Sequence, residues 1–150
     1  MTNPSIMSKR APEPVGPYPH AKRVGNLLFL SGVGPRAPGP RELGSDEIPG
    51  VTLDKDRSIV AYDIEAQCRS CFENVKVILE DAGSSIANVV DVQVFLTNIR
   101  DDFQTMNKVF AEYFAGPPDS GKPNPTRTTV EVRALPGPIC VEAKVIATIG

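Results

Sequence analysis

The chain has 150 residues, 41% of them hydrophobic and 23% charged, with a formal net charge of −2. This is the length of one domain, able to bury a core, with the balance of a soluble globular protein. It carries no dense Lys/Arg run and has a pI near 5.4, which weighs against nucleic acid or an anionic membrane as partner, since both need a basic footprint; its apolar runs are too short to span a bilayer.

Residues 1–17 contain four prolines and no apolar period, so residues 1–14 read as a flexible arm preceding a single domain, 15–150. The arm lacks the apolar core of a signal peptide, and a cytoplasmic location is expected. Ala21–Val24 and Leu27–Ser31 read as short strands around Gly25-Asn26, a tight-hairpin signal. The segment 33–57 is polar, rich in Gly and Pro and aperiodic, which predicts a long loop, functional or disordered.

From Ser58 to Ala82 the apolar residues Ile64, Cys68, Cys71, Phe72, Val75, Ile78 and Leu79 recur at helical spacing, and Gly83 supplies a stop. Val89–Thr97 alternates as a strand, with Val90, Val92, Val94 and Leu96 on one side. Asp101 and Asp102 open a second helix, whose apolar face is Phe103, Met106, Phe110, Tyr113 and Phe114 and which Gly116-Pro117-Pro118 ends. Pro125–Ala147 then reads as two strands joined by a Pro-Gly-Pro turn. In the first, Thr128, Val130, Val132 and Ala134 are expected to face the helices; in the second, Val141, Ala143, Val145 and Ala147 alternate with Glu142 and Lys144. The order β-β-loop-α-β-α-β-β predicts a two-layer α+β fold, a mixed sheet with two helices on one face. Identical subunits would close the other face.

Three cysteines argue against a disulfide framework, and Cys68-x-x-Cys71 lies inside a helical pattern with too few other soft ligands for zinc. The one histidine, His20, reads as a surface residue, Tyr18 as a turn aromatic, and Asn107 as a capping or solvent-facing residue. The sequence has no nucleophile elbow, phosphate loop or dinucleotide fingerprint. Arg127 and Glu142 are the pair of interest: an arginine fork suits a carboxylate, and a glutamate near water can act as base. In a hairpin they would share the charged face, offset rather than opposed, as a bridged site or as part of a solvated network.

Gly16-Pro17-Tyr18, Leu30-Ser31-Gly32, residues 72–96, Met106–Phe110 and the closing P-x-R-x-x-V-x-V…L-P…V-E-A pattern resemble the Rid/YjgF family of small enamine and imine deaminases. The resemblance covers residues 15–149. It implies a chorismate-mutase-like homotrimer, or a dimer of such trimers, with active sites in clefts between subunits. It also implies a small carboxylate substrate and neither metal nor organic cofactor. By the same resemblance Arg127 binds the substrate carboxylate, Glu142 positions the attacking water, and Tyr18, Ser31, Gly32, Asn107 and Thr129 line the pocket. Thr129 stands where the family often has cysteine, and Val33-Gly34 where a Gln-Ile pair is common. The extended loop resembles the 2-aminomuconate deaminase branch, which implies hydrolysis of 2-aminomuconate to 4-oxalocrotonate and ammonia in aromatic-compound catabolism. Such a diacid needs a second anchor, for which Arg36 and Arg41 are candidates, unless the loop only packs between subunits. The alternatives are a general scavenger of 2-imino acids and a non-catalytic binding, stress or RNA-acting protein, the last disfavoured by the acidic pI.

Overall fold

A computed structural model describes residues 3–38 and 48–150. The strands are β1 (Ser5–Ile6), β2 (Ala21–Val24), β3 (Leu27–Leu30), β4 (Val51–Leu53), β5 (Ile59–Tyr62), β6 (Val89–Leu96), β7 (Thr126–Glu131) and β8 (Val141–Thr148), and the helices are α1 (Ile64–Asp81) and α2 (Ile99–Phe114). Six strands form one sheet in the order β1-β2-β3-β8-β6-β7. Only β6–β7 among these pairs is parallel. The α+β class is the one expected from the sequence.

Each helix begins and ends where its chemistry says it should. Asp63 caps α1 by accepting from the Ala66 amide at 3.1 Å. Gly83, at φ +84°, ends it: its amide bonds the Glu80 carbonyl while Ser84 reaches Leu79, the paired bonds of a Schellman motif. Asn98 caps α2 through the Asp101 amide at 3.2 Å, and Glu131 of β7 takes the Ile99 amide at 2.9 Å. Phe72 of α1 is fully buried and meets Phe110 and Phe114 of α2 edge-on, at 6.0 and 5.1 Å between centroids. Beneath the helices lie Val92, Val94 and Leu96 of β6 and Val141, Ala143, Val145 and Ala147 of β8, all without exposed surface.

Four expectations need correction. First, the two closing strands are not a hairpin. β6 lies between them, parallel to β7 and antiparallel to β8, so the Pro136-Gly137-Pro138 segment belongs to a connection that passes the end of β6. With that change β7 presents its other side to the helices: Arg127 and Thr129 are half-buried while Thr128 and Val130 are exposed. Second, a one-residue register shift between Val89 and Asp91, a bulge, leaves Val90 exposed, out of line with the rest of β6.

Third, α1 begins at Ile64 rather than Ser58, and a hairpin, β4–β5, spans the end of the supposed loop and the first residues read as helix. Asp54 holds its turn through the Asp56 and Ser58 amides at 2.8 and 2.9 Å. Tyr62 then ties it to α2 by donating to the buried Asp102 carboxylate at 2.8 Å. Fourth, the arm expected to be flexible over 1–14 is docked from residue 4. Ser5 and Ile6 pair with Lys22 and Ala21, Arg10 bonds Asp81, and His20 is buried, accepting from the Ser8 amide at 2.9 Å. Cys68, Cys71 and Cys140 are free and buried.

Phe72→Ala is expected to lower the unfolding free energy by about 3–5 kcal/mol, because the aromatic cluster cannot close over the void. Denaturant titration at matched protein concentration checks this.

Candidate functional site

The expected site residues fall into two groups on opposite faces of the sheet. The first is built by β7 and α2. A parallel partner must be reached by a crossover, and α2 is that crossover, so β7 lies along the sheet edge beneath the helix. Arg127, in register with buried Val92, points into this layer. Its guanidinium carbon stands 4.7 Å from the Phe110 ring centre and 5.7 Å from that of Phe103, and Nη1 is 3.9 Å from Met106 Sδ. Such cation–π contacts contribute about 0.5–2 kcal/mol, more as water is excluded. Burial moves the Arg127 pKa below its usual value, though an arginine keeps its charge.

Thr129 projects to the same side two residues on, and Asn107 lies on the α2 stripe that carries Phe103 and Phe110. Asn107 Oδ1 and Thr129 Oγ1 are buried without a hydrogen-bond partner among the described residues. Each such atom costs about 1–3 kcal/mol. Asn107 is therefore neither a cap nor a solvent-facing residue. One fork of donors and two unmatched polar atoms are presented together.

The second group surrounds Glu142 on the other face. Tyr18, Ser31 and Gly32 line a cleft with His20, Val33 and Arg36. Ser31 is set by its hydroxyl donating to the Pro19 carbonyl at 2.7 Å and its amide donating to the His20 carbonyl at 3.0 Å. The Glu142 carboxyl rests on Gly32, where a Cβ would lie 2.9 Å from Cδ and Oε2; the absent side chain is what lets the carboxylate approach. Desolvation raises the Glu142 pKa above its ordinary value, and the Arg36 charge opposes that rise. Lys144, next on the same side of β8, donates to the Leu30 carbonyl, and its pKa is lowered by burial.

Arg127 is aligned with Val92 of β6 and Glu142 with Phe95. The two residues therefore stand about 10 Å apart along the strands and about two strand spacings, or roughly 9.5 Å, across them. Because the offset along β6 is odd, they also point to opposite faces. No single small ligand bridges them within one chain. Of the two arginines considered for a second anchor, Arg36 lines the cleft of Tyr18, Ser31 and Gly32, the glycine on which the Glu142 carboxyl rests, and Arg41 falls outside the described residues. Asn74, Phe103 and Phe110 were not anticipated as site elements; the apolar spacing of α2 named both phenylalanines, but only as core. Among the described residues, no group of three or more His, Cys, Asp or Glu could hold a metal ion, and no helix is long and apolar enough to cross a membrane.

Two helices on one face of a mixed six-stranded sheet, with polar half-sites on either face, define a small α+β protein of a known type. The family model described as endoribonuclease L-PSP matches residues 8–149. A RutC family protein of Pyrococcus abyssi is 37% identical over 147 residues, covering 98% of each chain. TdcF of Escherichia coli (strain K12), to which a reactive intermediate deaminase role is attributed, is 32% identical over 142 residues, covering 95% of this chain and 94% of its own. The crystal structure of E. coli TdcF with bound serine superposes with a TM-score of 0.77 at 31% identity, covering 98% of this chain and 99% of that one. The E. coli YjgF gene product gives 0.74 at 29% identity, covering 97% and 98%. The chain belongs to the Rid/YjgF family, also described as RutC or endoribonuclease L-PSP.

The raised Glu142 pKa fixes the sign of its linkage to stability. The folded state holds the Glu142 proton more tightly than the unfolded state, so this residue adds stability as pH falls through its folded midpoint and costs stability above it. Glu142→Gln is therefore expected to be at least as stable as the parent at pH 7, an advantage that disappears as the pH falls through that midpoint. Unfolding free energies measured across a pH series test this.

Proposed function

We propose that the protein is a hydrolytic deaminase of small 2-imino and enamine acids, acting at a site completed between copies of the chain. The observation that carries this reading is the division of the polar groups. Arg127, Asn107 and Thr129 present donors and unmatched polar atoms on one face, while Glu142 with Gly32, Ser31 and Tyr18 occupies a cleft on the other. A homotrimer in which the β7–α2 edge of one protomer meets the open face of the next would bring the two groups together. The attribution of reactive-intermediate deamination to TdcF, and the serine bound in the TdcF structure, support a small ligand carrying a carboxylate beside a nitrogen-bearing carbon.

In this reading the Arg127 fork holds the substrate carboxylate through paired, charge-assisted bonds. The Asn107 carboxamide oxygen accepts from the imine N–H. Water adds to the imine carbon while Glu142 takes its proton and returns one to nitrogen. The resulting carbinolamine breaks its C–N bond, releasing ammonia and leaving the 2-oxo acid. The imine carbon is already electrophilic, so positioning and proton transfer supply the rate enhancement, the latter about 10²–10⁴-fold.

The narrower substrate, 2-aminomuconate, would require a second anchor for its distal carboxylate. Arg41 is the remaining candidate, so the general 2-imino acid is the better-supported class. A nuclease or RNA-binding role finds little support in a net charge of −2.

The test follows ammonia and 2-oxo acid formation from 2-iminopropanoate generated in situ, above its spontaneous hydrolysis, with 2-aminomuconate as a second substrate. Arg127→Ala and Glu142→Gln are each expected to lower kcat/KM about 10²-fold or more. If the site is shared, mixing the two inactive variants and re-forming the oligomer restores about a quarter of the parental activity, since one interface in four then pairs an intact Arg127 with an intact Glu142. No recovery on mixing would place both residues in one chain's site, or outside the site altogether.

A further inference from the structure

The cleft whose Gly32 wall meets the Glu142 carboxyl is also lined by Arg36, a second charged group with a purpose-built seat. Gly32 to Gly34 runs extended, because Val33 and Ala143 exchange backbone bonds of 2.8 and 2.9 Å. In such a run, residues two apart project to the same side, about 7 Å from one another. A Cβ at Gly32 would strike the Glu142 carboxyl; a Cβ at Gly34 would lie 2.6 Å from Arg36 Nη1. Carboxylate and guanidinium therefore rest against one side of the same three residues. Gly137, at φ +84°, bounds the guanidinium elsewhere, with its own Cβ position 2.9 Å from Nη2. Arg36 also donates to the Pro136 carbonyl. Helix α1 pins the segment from below: buried Asn74 donates to the Gly34 and Arg36 carbonyls at 3.0 Å each, and Cys71 Sγ to the Val33 carbonyl at 3.1 Å.

We infer that Arg36 is a positioning residue for the Glu142 carboxylate, carried by a loop that Asn74 pins and seated in the space left at Gly34 and Gly137. The inference rests on the reading of Glu142 as the base and adds what orients it. A carboxylate desolvated by burial favours the neutral form, and a guanidinium seated nearby on the same side opposes that preference, toward the ionised form that can take a proton from water. The other titratable groups around it are Lys144 on β8, whose ammonium is engaged by Leu30, Cys71 of α1, and Glu13, Tyr18 and His20 on the walls of the cleft. Arg36 is thereby assigned to the catalytic carboxylate rather than to a distal substrate group.

The experiment is a ¹³C NMR titration of the Glu142 carboxyl in the full chain without substrate, assigned by its loss in Glu142→Gln, alongside the pH profile of kcat/KM. In Arg36→Gln the carboxyl midpoint and the acid limb are expected to move up together, so that kcat/KM falls roughly tenfold more at pH 6 than at pH 8. Arg36→Lys keeps the charge and should return the midpoint toward the parent. Asn74→Ala should shift it upward by less than Arg36→Gln. An unchanged Glu142 midpoint in Arg36→Gln overturns the inference. Should that variant not fold, an unchanged midpoint in Asn74→Ala overturns it instead. A midpoint that moves as stated in a protein without deaminase turnover would leave Arg36 where it is placed and remove the catalytic reading.

Discussion

The parallel pairing of β7 with β6 is the constraint on which the rest of the molecule depends. Parallel neighbours cannot be joined by a tight turn, so α2 must cross between them, and whatever β7 points inward is trapped between the sheet edge and that helix. The chain then returns along the far side of β6 as β8. The six-residue register of β6 against β7 thus decides that Arg127 meets Phe110 and that Glu142 emerges on the opposite face. A slip of one residue would exchange the faces of every side chain in β7, placing Thr128 and Val130 beneath the helix and Arg127 outside it.

Both faces carry polar groups with unmet demands, and the demands differ in kind. Under α2, an arginine is desolvated against aromatic rings and two buried oxygens lack partners among the described residues. In the cleft, a carboxylate is desolvated against a glycine with a guanidinium nearby. A fold does not ordinarily leave buried polar atoms unmatched, and among the described residues Asn107 Oδ1 and Thr129 Oγ1 are left so. The open sheet face between them is mixed: Phe95 and Val130 lie in one row with Glu142, while Gln93, Thr128 and Lys144 form the next. That mixture suits a surface covered by another polar protein surface better than one buried in a dry core.

The hairpin β4–β5 bears on the site indirectly. Tyr62 anchors it to Asp102 in the first turn of α2, the helix that carries Asn107 and the rings beneath Arg127. Burial raises the Asp102 pKa against the opposing effect of the Tyr62 hydrogen bond, and the Tyr62 pKa is itself raised. A carboxylate at a helix N-terminus usually faces solvent, where the macrodipole alone favours it. Here it also serves as a tether between the β4–β5 hairpin and the helix that frames half of the site.

Local chemistry made much of the fold legible in the sequence. The 3.6-residue spacing of α1 and α2, the Gly83 stop, the Gly25-Asn26 hairpin and the alternation of β8 are consequences of neighbours in the chain, and each stands where those neighbours place it, whereas the Asp63 and Asn98 caps were not read from the sequence. The motif residues were also legible, as a list. The hairpin β4–β5 was not, because its strands of three and four residues are too short for a period to declare itself, although β-branched Ile59 and Val60 disfavoured the helix drawn through them. Alternation likewise named the two sides of β7 without deciding which was inner. That choice belongs to long-range pairing, since TRTTVE offers no strongly apolar side and the burial of β6 and α2 settles the matter. Period 2 separates Arg127 from Thr128; only the insertion of β6 between β7 and β8 separates Arg127 from Glu142.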